Sequence, residues 1–342
     1  MTGALHVGVV GVGRIGSLHT STLRTLEGVS RLTLTDADAA RARRAASELG
    51  AGTADGPEAL VAAGVDALVI AAPTPAHASL LRLAADAGLP AFCEKPVALD
   101  LPALDDVIEH VERAGILVQI GFQRRFDAGY RAARDAVDGG ALGNVLVLRA
   151  ATHDPAPPPE TYIAASGGIF RDLHIHDFDA IRFVTGREIV EVYADGAVRE
   201  TPWFERHGDV DTAAVLLRLS GGPLAVVTGT RHDALGYDVR LEVFGTADSI
   251  VAGVDTHSPL RSVEPGSPRV EAAYRTFLDR FERAYRAELA AFVDSVLHGG
   301  ESACSLHEAR AALLAALAAD RSRHEHLPVR IEEVTSAQAL AG

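Results

Sequence analysis

The sequence predicts an α/β protein: an N-terminal Rossmann domain with a doubly wound parallel sheet, followed by a C-terminal α/β domain with an open, mainly antiparallel sheet. Three observations carry this expectation. Short apolar runs alternate with amphipathic segments as far as about residue 122, a glycine turn separates the first run from the first amphipathic segment, and β-type runs follow one another without helices after about residue 188.

The first strand is expected near 5–10, where Val7-Gly8-Val9-Val10 reads as buried. In the run Gly11-Val12-Gly13-Arg14-Ile15-Gly16, Gly11 permits a tight turn and Gly13 lets the backbone approach a pyrophosphate with no Cβ in the way. Gly16 lets the following helix pack close to the strand. That helix, near 14–26, turns its free N–H groups and positive dipole end toward an anion. A second strand, Arg31-Leu32-Thr33-Leu34-Thr35, ends in Asp36. This acid stands about 20 residues past the last glycine, where a carboxylate meets the adenosine ribose hydroxyls. It would repel a 2′-phosphate, and Ala37 and Asp38 bring no cation to hold one, so NAD is the expected cofactor. Asp36 could instead cap the helix near 38–49, but Asp38 is placed to take that duty. Strands near 67–71, 90–93 and 116–120 and helices near 76–88 and 101–114 complete the parallel sheet.

The character changes after Gly121. A helix near 127–138 and a strand near 144–151 lead to Asp154-Pro155-Ala156-Pro157-Pro158-Pro159, which cannot be regular structure. Gly167-Gly168 precedes a helix near 172–185. Strands are expected near 188–199, 211–219, 224–231, 238–245 and 249–254, with turns such as Ser220-Gly221-Gly222-Pro223 between them. Helices near 271–298 and 305–321 and a short strand at 329–331 close the chain. The expected division is a nucleotide-binding domain over 1–122, a substrate-binding and oligomerisation domain over 123–333, and a frayed tail over 334–342.

Composition narrows the function. The 342 residues are 48% hydrophobic and carry a formal charge of −14, which argues against nucleic acid or an anionic membrane as partner. Only Cys93 and Cys304 are present, so neither a disulfide framework nor a zinc knuckle is expected, and a reducing cytoplasm fits. No leader is expected ahead of the first strand, and the most apolar stretch, residues 65–72, is strand-sized.

Ligands of an open parallel sheet bind beyond the carboxyl ends of its strands. Three loops there are unusual. Ala72-Pro73-Thr74-Pro75-Ala76-His77 makes a rigid turn able to pass beneath a dinucleotide, with His77 either near the cofactor or on the helix surface. Cys93-Glu94-Lys95-Pro96 places a lysine before a proline, which restricts it to extended backbone and aims it out of the strand end. Further along, Asp172 and His176 stand four apart on a helix and so share a face, a carboxylate beside an imidazole able to move a proton. A metal cluster of His174, His176, Asp177 and Asp179 is the competing pattern. His174 lies about 200° around the helix from His176, however, and no metal is expected.

These residues resemble the glucose-fructose oxidoreductase and inositol 2-dehydrogenase (Gfo/Idh/MocA) superfamily. Gly11 to Gly16 with His19 is similar to its cofactor turn, and Glu94-Lys95-Pro96 to its hallmark tripeptide. Gly121-Phe122-Gln123-Arg124-Arg125-Phe126-Asp127 and the stretches 154–159 and 166–179 resemble the inositol dehydrogenase subgroup. The resemblance implies Lys95, Asp172 and His176 as catalytic triad, and Gly11, Gly13, Arg14, Ile15, Gly16, Asp36, Ala72, Pro73, Thr74, His77, Glu94 and Lys95 around NAD. Arg125, His153, Asp154 and Tyr237, with Asp172 and His176, are the candidate substrate contacts. It further implies oxidation of a secondary hydroxyl of a cyclic polyol, myo-inositol foremost, by a homotetramer or homodimer packed through the open sheet. Scyllo-inositol, a pyranose or an amino sugar is the alternative substrate, and a non-catalytic dinucleotide sensor the alternative class. The pattern departs at Gly229-Thr230-Arg231, where Asn-Ser-Arg is usual, at Leu235, usually Tyr, and at Val239, often Gln; the hydroxyl-recognition surface is thereby altered.

Overall fold

The computed structural model describes residues 3–267, 270 and 272–339. It divides into two compact units, Met1–Gln123 with Arg283–Arg310, and Arg124–Glu282 with Ala311–Gly342.

In the first unit, β1 (Leu5–Val10), α1 (Arg14–Leu23), β2 (Val29–Thr35), α2 (Ala39–Leu49), β3 (Gly52–Thr53), α3 (Pro57–Ala62), β4 (Ala67–Ile70), α4 (His77–Asp86), β5 (Ala91–Glu94), α5 (Leu101–Ala114) and β6 (Val118–Gly121) alternate as expected. The strands form one parallel sheet in the order β3-β2-β1-β4-β5-β6. Every residue of β1, β4 and β5 is buried, as a sheet covered on both faces requires. The two-residue β3 and six-residue α3 are too short to carry periodicity and were not anticipated. Helices α2 and α5 are capped by Asp38 and Asp100, and both stop on a glycine at positive φ, Gly50 and Gly115.

The second unit begins with a 3-10 turn at Gln123–Phe126, then α6 (Ala128–Asp138), β7 (Val145–His153) and α7 (Glu160–Ser166). A π-helical turn, Phe170–His174, runs directly into α8 (Ile175–Thr185). β8 (Ile189–Ala197), α9 (Trp203–Arg206), β9 (Thr212–Leu219), β10 (Leu224–Thr230), β11 (Asp238–Gly245) and β12 (Ser249–Ala252) follow. After α10 (Phe277–His298) and α11 (Leu306–Glu325) come β13 (Val329–Arg330) and α12 (Ile331–Ala339). The seven-stranded sheet has the order β12-β11-β7-β10-β9-β8-β13; β7 and β10 run parallel and the other neighbours antiparallel. Burial alternates along β9 and β10, so one face is covered and the other exposed.

The compact division is discontinuous, whereas the sequence suggests a single cut after residue 122. Past a break in helical geometry at Phe281, Leu289, Phe292 and Val293 of α10 join Val7, Val9, Leu34, Val69 and Phe92 in the first unit's core. The Ile120 N–H also donates to the Cys304 carbonyl at 2.8 Å. At the C-terminus a helix occupies 331–339, where fraying was expected after Glu333; residues 340–342 lie outside the described residues.

Candidate active site

On the nucleotide side, the turn after β1 has the form its glycines suggest. Gly11 adopts φ +89°, and a Cβ there would fall 2.7 Å from the backbone of Ala71 and Ala72. A Cβ on Gly16 would lie 2.0 Å from the Gly11 carbonyl oxygen, so α1 can sit this close to β1 only with glycine there. Beside Gly13 there is open space, with no atom within 4 Å of the Cβ position. The Asp36 carboxylate accepts from the Val12 N–H and the Asp38 N–H, each at 2.8 Å, which fixes it beside the glycine turn. Asp38, not Asp36, caps α2 through the Ala40 and Arg41 N–H groups. These residues fit a dinucleotide: an open glycine turn at a helix N-terminus with a carboxylate alongside. The sequence neighbours of Asp36 bring no cation, but α2 returns Arg41 to it, with Nη1 3.4 Å from Oδ1.

His77 is buried at the start of α4 rather than exposed. Its ring nitrogens face two carbonyl oxygens, Pro96 at 2.8 Å from Nδ1 and Ala72 at 2.7 Å from Nε2, so it braces the loop after β4 against the one after β5. Burial pushes its pKa down, against those two hydrogen bonds and the nearby Glu94. Glu94 is turned to the wholly buried His19, Oε1 to Nε2 at 2.6 Å, and so steadies the end of β5. Lys95 follows it, half-buried, in a cis peptide with Pro96.

In the second unit, Asp172 lies within the π turn and His176 in the first turn of α8, at the kind of helix irregularity that recurs in functional sites. Their environments differ from those of the neighbouring acids and histidine. His174 is fully buried, with Nδ1 2.9 Å from Asp177, whereas His176 is only half-buried. Asp177 also accepts from Arg124 at 2.5 Å and Thr152 at 2.7 Å, and Asp179 is forked by Arg125 at 2.6 to 3.1 Å. The competing metal pattern is thus pulled apart, with Asp177 and Asp179 each given to an arginine. Among the described residues, the group whose donor atoms do converge is His153, Asp233 and Asp238, but Asp238 already holds Arg240 at 2.8 to 3.1 Å.

Asp172 is buried, and both of its oxygens accept: Oδ1 from the Tyr162 hydroxyl at 2.7 Å, Oδ2 from Arg231 Nη2 at 2.6 Å. Arg231 Nη1 reaches Asp154 at 2.7 Å. Burial alone would lower the Arg231 pKa, but Asp172 and Asp154 outweigh it, and the guanidinium stays charged. Tyr237 is buried edge-on to Phe281; burial raises its phenol well above the ordinary range and keeps it a neutral hydroxyl. His153 stands 3.6 Å from Asp238 and 3.8 Å from Asp233. Tyr162 was not singled out in the sequence, because the seven-residue α7 has no readable period. Arg231 attracted notice only as the retained member of an altered tripeptide.

The departure at Gly229 has a local explanation. A Cβ there would lie 2.4 Å from Cε1 of His174, so the buried His174 ring occupies the room a larger residue on β10 would need.

Comparison with known proteins agrees with this architecture. A model for the GFO/IDH/MocA oxidoreductase family with NAD-binding Rossmann fold matches residues 5–122, and one for the GFO/IDH/MocA C-terminal domain matches 130–251. The chain is 37% identical to a myo-inositol 2-dehydrogenase of Thermotoga maritima over 96% of its length and 99% of the relative's. It is 40% identical to a myo-inositol dehydrogenase of Streptomyces leeuwenhoekii, covering 92% of this chain and 96% of that one. The crystal structure of a Lactobacillus casei scyllo-inositol dehydrogenase with bound NAD(H) and scyllo-inositol superposes with a TM-score of 0.87 at 30% identity, covering 96% of this chain and 99% of that one. With a glycine turn fit for a dinucleotide, a carboxylate fixed beside it, and family models matching 5–122 and 130–251, the chain belongs to the GFO/IDH/MocA family of NAD-binding oxidoreductases.

Proposed function

We propose that this protein is an inositol 2-dehydrogenase that oxidises myo-inositol to 2-keto-myo-inositol with NAD, as a step of inositol catabolism. The observation that carries the substrate is the near full-length identity to two enzymes named for myo-inositol. Bound NAD supplies a hydride acceptor at C4 of its nicotinamide. His176 takes the proton of the substrate hydroxyl, a task suited to an imidazole near neutral pH. Asp172 orients that imidazole and offsets the positive charge it gains. Lys95 stabilises the alkoxide charge that develops on the substrate oxygen. His153, Asp154 and Tyr237 read the remaining hydroxyls, together with Arg125, whose guanidinium is already fixed by Asp179. On the nucleotide side, Arg14, Ile15, Ala72, Pro73 and Thr74 line the cofactor with the glycine turn.

Myo-inositol deuterated at carbon 2 tests the position of attack. Deuterium is expected in the reduced cofactor; deuterium retained in the organic product would refute oxidation at that carbon.

The ribose role proposed for Asp36 predicts a change in cofactor choice. Asp36→Asn removes a like charge facing a 2′-phosphate and leaves Arg41 nearby. It is expected to cut the NAD:NADP ratio of kcat/KM by at least about ten-fold, a factor worth about 1.4 kcal/mol. An unchanged ratio would show that Asp36 does not read the ribose.

We further propose a homotetramer packed through the exposed sheet face. Tyr193, Leu216 and Val226 are cross-strand neighbours on β8, β9 and β10 and lie in a row on that face. Charged pairs, Arg149 with Glu242 and Arg218 with Glu191, lie on neighbouring strands. An apolar strip with charged flanks suits a second copy of the same sheet. Leu216→Asp is expected to shift the sedimenting species to a smaller assembly; an unshifted boundary would exclude this face.

We also place the enzyme in a reducing cytoplasm. Cys93 and Cys304 are both buried and not joined in a disulfide, and no helix of the described residues is long and apolar enough to cross a membrane. Recovery outside the cytoplasmic fraction would refute this placement.

A further inference from the structure

We propose that Arg231 is a positioning residue of the reaction, holding the Asp172 carboxylate in one orientation and tying it to Asp154. The inference rests on the assignment of Asp172 to the catalytic set and extends it to a residue outside that set.

Arg231 leaves the end of β10 with its backbone N–H donating to the Asp211 carbonyl at 2.8 Å. Its side chain is only 4% exposed and spans two carboxylates that arrive from different elements. Nη2 donates to Asp172 Oδ2 at 2.6 Å, from the π turn, and Nη1 to Asp154 Oδ2 at 2.7 Å, from just past β7. The Asp154 backbone is anchored as well: its N–H donates to the Thr230 carbonyl and its carbonyl accepts from the Asp233 N–H. Tyr162 donates to the other oxygen of Asp172 at 2.7 Å. A planar guanidinium sets the angle between the two carboxylates as well as their distance, which a single ammonium cannot do. Without this cation the buried Asp172 and the half-buried Asp154 would repel and tend to share a proton, and Asp172 would lose both its fixed orientation and its full charge. Arg231 therefore acts through Asp172 on the imidazole that Asp172 serves. It also couples that orientation to Asp154, a proposed hydroxyl-reading group.

The test uses the full-length protein with NAD and myo-inositol, and compares Arg231→Met, Arg231→Lys and Asp172→Asn. A small misplacement of a catalytic group costs on the order of 100-fold, so Arg231→Met is expected to lower kcat by about that factor with KM for NAD unchanged. Arg231→Lys, which keeps the charge but not the fork, is expected to recover about ten-fold of the loss and no more. Wild-type kcat in Arg231→Met, or a lowered melting temperature with kcat unchanged, would overturn the positioning role. Where Arg231→Met does not fold, Arg231→Lys decides: reduced kcat at unchanged KM for NAD supports the role, and wild-type kcat overturns it. Full turnover in Asp172→Asn would instead refute the catalytic assignment of Asp172. Inactive Asp172→Asn with fully active Arg231→Met would refute only the inference.

Discussion

Alanine at His176 is expected to lower turnover by about 100- to 10,000-fold, the span typical for loss of a general base, while NAD still binds with near wild-type affinity. Lys95→Ala is expected to cost about 100- to 1,000-fold, as loss of one donor to a developing oxyanion does. Two features single out His176. It is half-buried where His174, two residues earlier, is fully buried against Asp177. It also follows an aspartate whose orientation is held from both sides by Tyr162 and Arg231. Lys95 is held by its surroundings within the first unit. Glu94 before it is pinned to His19, and the carbonyl of Pro96 after it is pinned to His77. A lysine whose two neighbours are both fixed presents its ammonium from a rigid base. Fluorescence titration with NAD separates the two effects. Retained turnover in both variants would refute the triad, and loss of NAD affinity in His176→Ala would point to a folding defect instead.

Asp177→Ala is expected to destabilise the second unit by about 3–5 kcal/mol, because it removes one partner of a fully buried ion pair and strands the other. Arg124 donates to Asp177 at 2.5 Å and to Thr152 at 2.9 Å, while Thr152 and His174 also donate to Asp177. One carboxylate thus joins the 3-10 turn, β7, the π turn and α8. Burial by itself would push the Asp177 carboxyl up; Arg124 and the hydrogen bonds from His174 and Thr152 outweigh it and hold the carboxyl below the ordinary range. Because the folded value is depressed, the stabilisation is complete above the unfolded carboxyl value of about 3.9 and is lost as pH falls through the lower folded value. Urea unfolding of wild type and variant should therefore differ most near neutral pH and converge in acid. A difference below about 0.5 kcal/mol at neutral pH would place the Asp177 cluster among ordinary surface contacts.

How legible each part was in the sequence follows the distance over which its signal acts. The turn Gly11 to Gly16 and Asp36 were legible because β1, α1 and β2 are consecutive and each glycine answers a local backbone demand. Asp172 and His176 were legible as a pair four residues apart, but the shared α-helical face expected of them gives way to a π turn at Asp172 that runs into α8. The braces were not. His19 and Glu94 are 75 residues apart, Arg231 and Asp172 are 59 apart, and no local pattern predicts either contact. Tyr162 is only 10 residues from Asp172, but its helix is too short to show a period. The passage of α10 into the first unit's core was hidden because an amphipathic helix shows that it buries a face, without showing against what. Arg41 gives no signal in the residues adjoining Asp36, because it is a helix turn that brings back a residue five positions on.

The most direct measurement is NAD and NADP reduction by the purified protein at mildly alkaline pH across myo-, scyllo- and chiro-inositol, D-glucose and D-xylose. The expected result is the highest kcat/KM for myo-inositol with NAD. Turnover confined to the pyranoses, or NAD binding with no turnover of any polyol, would contradict the assignment.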